Sequence, residues 1–79
     1  MDISMRDKVF DTISKVLEVT VDEIELTSSP DTLASWDSLK HMNLILALEE
    51  EFGVMFDDDQ IVNMVKVDVI LETTAGQLE

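Results

Sequence analysis

One segment limits what this chain can fold into. SLKHMNLILALEEEF, residues 38–52, is bounded by Asp37 on one side and Gly53 on the other. Asp37 can accept backbone N–H bonds from a first helical turn, and Gly53 can take the left-handed conformation that stops a helix. The centre of the segment, LILAL at 44–48, is apolar nearly all round. A helix of that kind belongs in the middle of a bundle, with other elements on several sides. The chain has 79 residues, so those elements come from a single small domain, expected to span 1–79. A domain of this size buries only about 60% of its unfolded surface, which leaves little room for a deep enzyme-like cavity.

The flanking segments supply the other elements. From Ile3 to Leu17, apolar residues at Met5, Val9, Ile13, Val16 and Leu17, with Phe10 beside them, fall at helical spacing and turn Asp7, Asp11 and Lys15 outward. Ser4 suits the cap of that helix. EVTVDEIELTSSPDTLAS then breaks the period with Pro30 and a Ser/Thr/Asp cluster, and reads as a long connection pinned to the core by Val21, Ile24, Leu26 and Leu33. A connection this long in a compact domain usually has a function. After Gly53, VMFDDDQIVNMV reads as a short link and a short helix whose opening acids suit its positive end. From about Val67, VDVILETTAGQL reads as a last helix weakened near its end by Gly76. The expected fold is all-α: an antiparallel four-helix bundle of three longer helices and one short third helix, with a long connection between the first and second.

Five basic residues against eighteen acidic ones give a net charge of −13. Such a chain repels phosphate backbones and anionic lipid, so nucleic acid and membrane surfaces are poor partners. Basic protein surfaces are good ones. There is no cysteine, which excludes disulfides and thiolate metal sites. No apolar run reaches the length of a membrane span, and the opening MDISMRDKVF lacks the oily core of a secretory signal. A cytoplasmic monomer is the expectation.

Several residues are candidates for chemistry. Ser38 stands at the first position of the apolar helix, where it is either an ordinary surface serine or an attachment point, since the helix's positive end favours a phosphate ester there. His41 follows one turn later. The pair suggests a hydrolase, but two side chains of one helix rarely aim at each other for proton transfer, and no glycine-rich elbow or orienting third group accompanies them. Asp57, Asp58 and Asp59 lack the spacing, glycine and distant glutamate of a calcium loop, and read as a helix-opening face. Glu49, Glu50 and Glu51 crowd the negative end of the helix, where acids are unfavourable; the run is either a solvated face or a docking surface. Trp36, the single tryptophan, reads as packing beneath the connection. The methionines are expected to fill the core, with Met42 facing a partner.

Taken together, WDSLKHMNLILALEEEFGV resembles the signature of acyl carrier proteins and the related peptidyl carrier domains. In these an Asp-Ser-Leu triplet opens the second helix and Leu-Glu-Glu-Glu-Phe-Gly closes it. Length, acidity, long first connection and short third helix extend the resemblance over the whole chain. It implies that Ser38 carries 4′-phosphopantetheine, moved from coenzyme A by a separate phosphopantetheinyl transferase, which makes the protein a substrate of that reaction and not an enzyme. It implies that the transferase reads Asp37 and Leu39, that Met42, Glu49 and Glu50 meet partner enzymes, and that Leu44, Ile45, Leu48, Ile61 and Met64 lie near an acyl pocket. The implied partners are an acyl- or aminoacyl-loading ligase and a downstream synthase or transferase with a basic docking surface.

The chain departs from the carriers of bacterial fatty acid synthesis at Ser35-Trp36, where those have a small residue or glycine-alanine, and at Lys40 and Asn43, where they have acids. By resemblance these departures favour a stand-alone carrier of a dedicated pathway making a secondary metabolite, lipid or surface polysaccharide, over the housekeeping role. The rival from another class is an acidic helical adaptor without a prosthetic group, which leaves Ser38 unexplained.

Overall fold

The computed structural model describes residues 4–78, and in these the chain forms four α-helices: α1 Met5–Leu17, α2 Ser38–Phe52, α3 Asp58–Asn63 and α4 Val67–Leu78. A single 3₁₀ turn, Val21–Glu23, interrupts the connection between α1 and α2. The expected order of three longer helices and a short third one is the observed order. Ser4 caps α1, its hydroxyl accepting from the Asp7 N–H at 3.2 Å. The expected helix start at Ile3 lies outside the described residues.

Each helix contributes one apolar face to a common core. Val9, Ile13 and Leu17 from α1 meet Leu44, Ile45 and Leu48 from α2, and Met64, Val67 and Ile70 complete the centre, none more than 1% exposed. The α1 residues recur at i and i+4, and the α2 residues at i, i+1 and i+4, which is why each set falls on one side of its helix. Trp36 closes one end, 2% exposed beneath the connection, as its position beside the Asp37 cap suggested.

Three expectations need correction. The LILAL segment is not enclosed all round: Leu46 is 56% exposed. The cause is helical period: at about 100° per residue Leu46 falls about 160° from Leu44 and Leu48, on the side of α2 turned away from the core. In the connection, Ile24 and Leu33 do pack on the core, but Val21 and Leu26 stay exposed. Leu26 acts through its backbone instead, its carbonyl accepting from the Asp68 N–H at 3.0 Å while the Ser28 carbonyl accepts from Val67 N–H at 3.1 Å. The connection thus satisfies two of the donors that the start of α4 leaves open. Of the methionines, only Met64 is fully buried; Met5 is partly buried, Met42 and Met55 are exposed, and Met1 lies outside the described residues.

The helix ends follow local chemistry with one exception. Gly53 ends α2 at φ 64°, a conformation open to glycine without steric cost. Glu18 ends α1 at φ 58° although it is not glycine, and its carboxylate pairs with the Lys40 ammonium at 3.0 Å. Helix α4 continues through Gly76 to Leu78.

Candidate functional site

Asp37 fixes where α2 begins. Its backbone is extended, and its carboxylate accepts from the Lys40 N–H at 2.8 Å while its carbonyl accepts from the His41 N–H at 2.8 Å. Ser38 is therefore the first helical residue, and its side chain is exposed. Among the described residues nothing hydrogen-bonds its hydroxyl. The N–H groups of Ser38 and Leu39 head the helix, where donors lack intrahelical acceptors.

Beside Ser38 lies a cleft of about 510 Å³ between the start of α2 and α3. Pro30 and Trp36 wall it on the connection side, Ser38 and Met42 on α2, and Ile61, Val62 and Val65 on the far side. His41 stands in its wall with both ring nitrogens engaged. Nδ1 accepts from the Trp36 indole N–H at 3.1 Å, and an indole N–H can only donate. Nδ1 is therefore unprotonated, and Nε2 carries the proton and donates to the Ile61 carbonyl at 2.8 Å. No ring nitrogen is left to take a proton from Ser38, which removes the hydrolase arrangement.

The outer face of α2 carries an apolar stripe. Leu39, Met42 and Leu46 are 69%, 46% and 56% exposed, and their i, i+3, i+7 spacing aligns them. Asn43 and Glu50 fall on the same face and are exposed. Glu49 differs from its neighbours: it is half-buried, and its carboxylate accepts from the Phe56 N–H at 2.9 Å. An acid at the unfavourable end of α2 thus anchors the link to α3. Of the sites read from the sequence, Asp37, Ser38, Leu39, Met42 and Glu50 are exposed along α2. Leu44, Ile45, Leu48 and Met64 are closed inside the core, and Ile61 is half-buried in the cleft wall.

Sequence reasoning missed Leu46, Val62 and Val65. For Leu46 the signal was present, since it repeats Leu39 two turns on. Two other sets of charged groups have local roles. Asp57 caps α3, its carboxylate accepting from Gln60 N–H at 2.8 Å while the Gln60 side chain accepts from Asp57 N–H at 3.0 Å. No group of three potential metal-binding side chains occurs among the described residues. The Lys15 ammonium is held above the ordinary lysine range, first by its hydrogen bond to Asp11 and then by that carboxylate's charge. No helix among the described residues is long and apolar enough to cross a membrane.

A phosphodiester arm fits this entrance: the hydroxyl is free and exposed, the helix's positive end faces it, and an apolar cleft adjoins it. The family described as the phosphopantetheine attachment site matches residues 7–72. The chain is 38% identical over 65 residues to an acyl carrier protein of Nitratidesulfovibrio vulgaris (strain DP4), covering 82% of this chain and 86% of that one. It is 31% identical over 77 residues to an acyl carrier protein of Coprothermobacter proteolyticus, covering 92% and 94%. The solution structure of a holo acyl carrier protein from Geobacter metallireducens matches with a TM-score of 0.84 over 96% of this chain and 87% of that one, at 22% identity, a likeness of fold.

The matches define the class as a carrier, a protein that holds a group for other proteins to act on. The chain belongs to the acyl carrier protein family, whose prosthetic group is covalently attached 4′-phosphopantetheine.

Proposed function

We propose that the chain, as a single carrier domain over 1–79, holds acyl or aminoacyl intermediates on an arm attached at Ser38 and presents them to enzymes of a dedicated biosynthetic pathway. The observation that carries this reading is the Ser38 hydroxyl: exposed, unpartnered, at the first residue of α2 and open to the apolar cleft. In the attachment step the serine oxygen bonds to the phosphorus that bears the pantetheine of coenzyme A. The pyrophosphate P–O bond breaks, the adenosine bisphosphate leaves, and the hydroxyl proton goes to a base of the transferase. When bound, the arm supplies the thiol that this cysteine-free chain lacks and on which a thioester forms.

Every other contribution comes from the chain itself. Asp37 fixes the helix start and so the direction of the Ser38 side chain. Leu39, Met42 and Leu46 offer apolar contact to the transferase and to later partners. Glu50 offers charge to a basic docking surface, and Glu49 chiefly holds the link to α3. The partners are a phosphopantetheinyl transferase, a loading ligase and a downstream synthase or transferase, in the cytoplasm. The dedicated pathway, making a secondary metabolite, lipid or surface polysaccharide, is supported by Trp36, Lys40 and Asn43, the departures from housekeeping carriers.

The test is intact mass after incubation with coenzyme A, magnesium and a broad-specificity phosphopantetheinyl transferase. One added phosphopantetheine is expected on the wild-type chain and none on Ser38→Ala, whose circular dichroism stays unchanged. A folded wild-type chain that gains no mass with several such transferases refutes the attachment and favours the adaptor. Ready turnover by fatty acid elongation enzymes would argue for the housekeeping role instead.

A further inference from the structure

His41 is a titratable side chain in the cleft wall to which carrying a group at Ser38 gives no task. It joins three segments: the indole of Trp36 on the connection, its own helix α2, and the Ile61 carbonyl on α3. Ile61 lies near the end of a six-residue helix, where its carbonyl accepts from the Met64 N–H at 3.3 Å and the His41 N–H is the shorter of its two partners. The two rings are 6.0 Å apart between centroids, and Trp36 is 2% exposed.

The position of His41 on α2 matters most. It is the outermost member of the inward face that continues as Leu44, Ile45 and Leu48, spaced i, i+3, i+4 and i+7. A chain tethered at Ser38 that entered the core between α2 and α3 would pass along this face. That passage requires His41 to release the Ile61 carbonyl, the Trp36 N–H, or both. Leu44, Leu48 and Met64 behind it are fully buried.

We infer that His41 is a positioning residue that latches α3 to α2, so that cargo attached at Ser38 stays in the outer cleft, against Met42, Val62 and Val65, and outside the helix core. The inference rests on Ser38 being the attachment point. It assigns this carrier short acyl or aminoacyl cargo, for which core burial offers little, and makes Leu44, Ile45, Leu48 and Met64 structural residues instead of an acyl pocket.

The test is NMR on the full chain in two stages. Before loading, the latch requires the Nε2–H tautomer of His41 and slow exchange of the Trp36 indole N–H, and His41→Ala removes that protection. The chain is then loaded with an octanoyl group by a phosphopantetheinyl transferase acting on octanoyl-coenzyme A. Methyl signals of Met42, Val62 and Val65 are expected to shift while those of Leu44, Leu48 and Met64 stay in place. In His41→Ala the core methyls shift as well. Trp36→Phe, which removes one of the two bonds, takes its place if that variant does not fold. Equal core shifts in wild type and variant, or a freely exchanging indole in the unloaded wild type, overturn the latch alone. A wild-type chain that gains no octanoyl-arm mass overturns the Ser38 assignment, and the inference with it.

Discussion

Replacing His41 with alanine measures the latch as a stability term. The substitution leaves the Trp36 N–H without an acceptor in a buried site and takes the side-chain donor from the Ile61 carbonyl, which retains only a 3.3 Å contact with the Met64 N–H. An unsatisfied buried polar group costs about 1–3 kcal/mol, so a loss of roughly 2–4 kcal/mol is expected for the pair. A domain of this length has a total stability of about 4–12 kcal/mol, and each kcal/mol moves Tm by about 4–8 °C. His41→Ala should therefore lower Tm by about 8–32 °C. Urea unfolding followed by far-UV circular dichroism, with Trp36→Phe and the double variant, closes a cycle in which loss of indole packing cancels. Coupling of about 1 kcal/mol or more is expected, because once the indole donor is gone its acceptor matters less. If the two losses add to within about 0.3–0.5 kcal/mol, the rings do not share a hydrogen bond in solution and the reasoning fails.

Other perturbations follow from the same structure. Glu49→Ala should cost about 1.5–3 kcal/mol, the range for a hydrogen bond to a charged group, whereas Glu50→Ala should stay within about 0.5 kcal/mol; urea midpoints of the two variants decide it. Thr74 is fully buried and its hydroxyl has no partner among the described residues, so Thr74→Val should stabilise the chain by about 1 kcal/mol, seen as a Tm rise of about 4–8 °C. With a net charge of −13, added sodium chloride should raise Tm by screening self-repulsion; a Tm that stays constant across a salt series contradicts that.

Legibility in the sequence follows the range of the interaction. Asp37 and Gly53 mark the ends of α2 because capping is decided within one turn, and the core face of α1 follows from period alone. The end of α1 at Leu17 was legible in the loss of period, but not the left-handed conformation of Glu18 that makes it, which a sequence signals only through glycine or asparagine. Leu46 misled because an apolar run does not say which side of its helix the other elements cover. Glu49 read as a docking acid because its partner, the Phe56 N–H, comes within reach only once the chain has turned at Gly53. His41 was least legible: its acceptor lies twenty residues away, and no local pattern encodes that pairing. The place of Ser38 came from the cap, but its role came only from the resemblance of the whole segment.

The structure also changes what Lys40 means for docking. On an isolated helix, a lysine two residues after Ser38 reads as a reversed charge facing any basic partner. Here the ammonium lies 3.0 Å from the Glu18 carboxylate and its side chain is 30% exposed, so the charge is directed toward the end of α1 and partly neutralised there. The outer face of α2 is left with Leu39, Met42, Asn43, Leu46 and Glu50, a face without a cation. On the proposed function, what separates this carrier from an acid-lined one is therefore the absence of carboxylates over the first two turns, and not repulsion. A partner must grip those turns by apolar contact and reach its electrostatic anchor at Glu50, about 18 Å along the helix from Ser38 at the helical rise. A rigid helix between the two fixes how far the attachment point stands from the anchor. Partners specific for this chain need basic residues at one end of the contact and an apolar shelf at the other, whereas enzymes that rely on charge along the whole helix lose most of their hold.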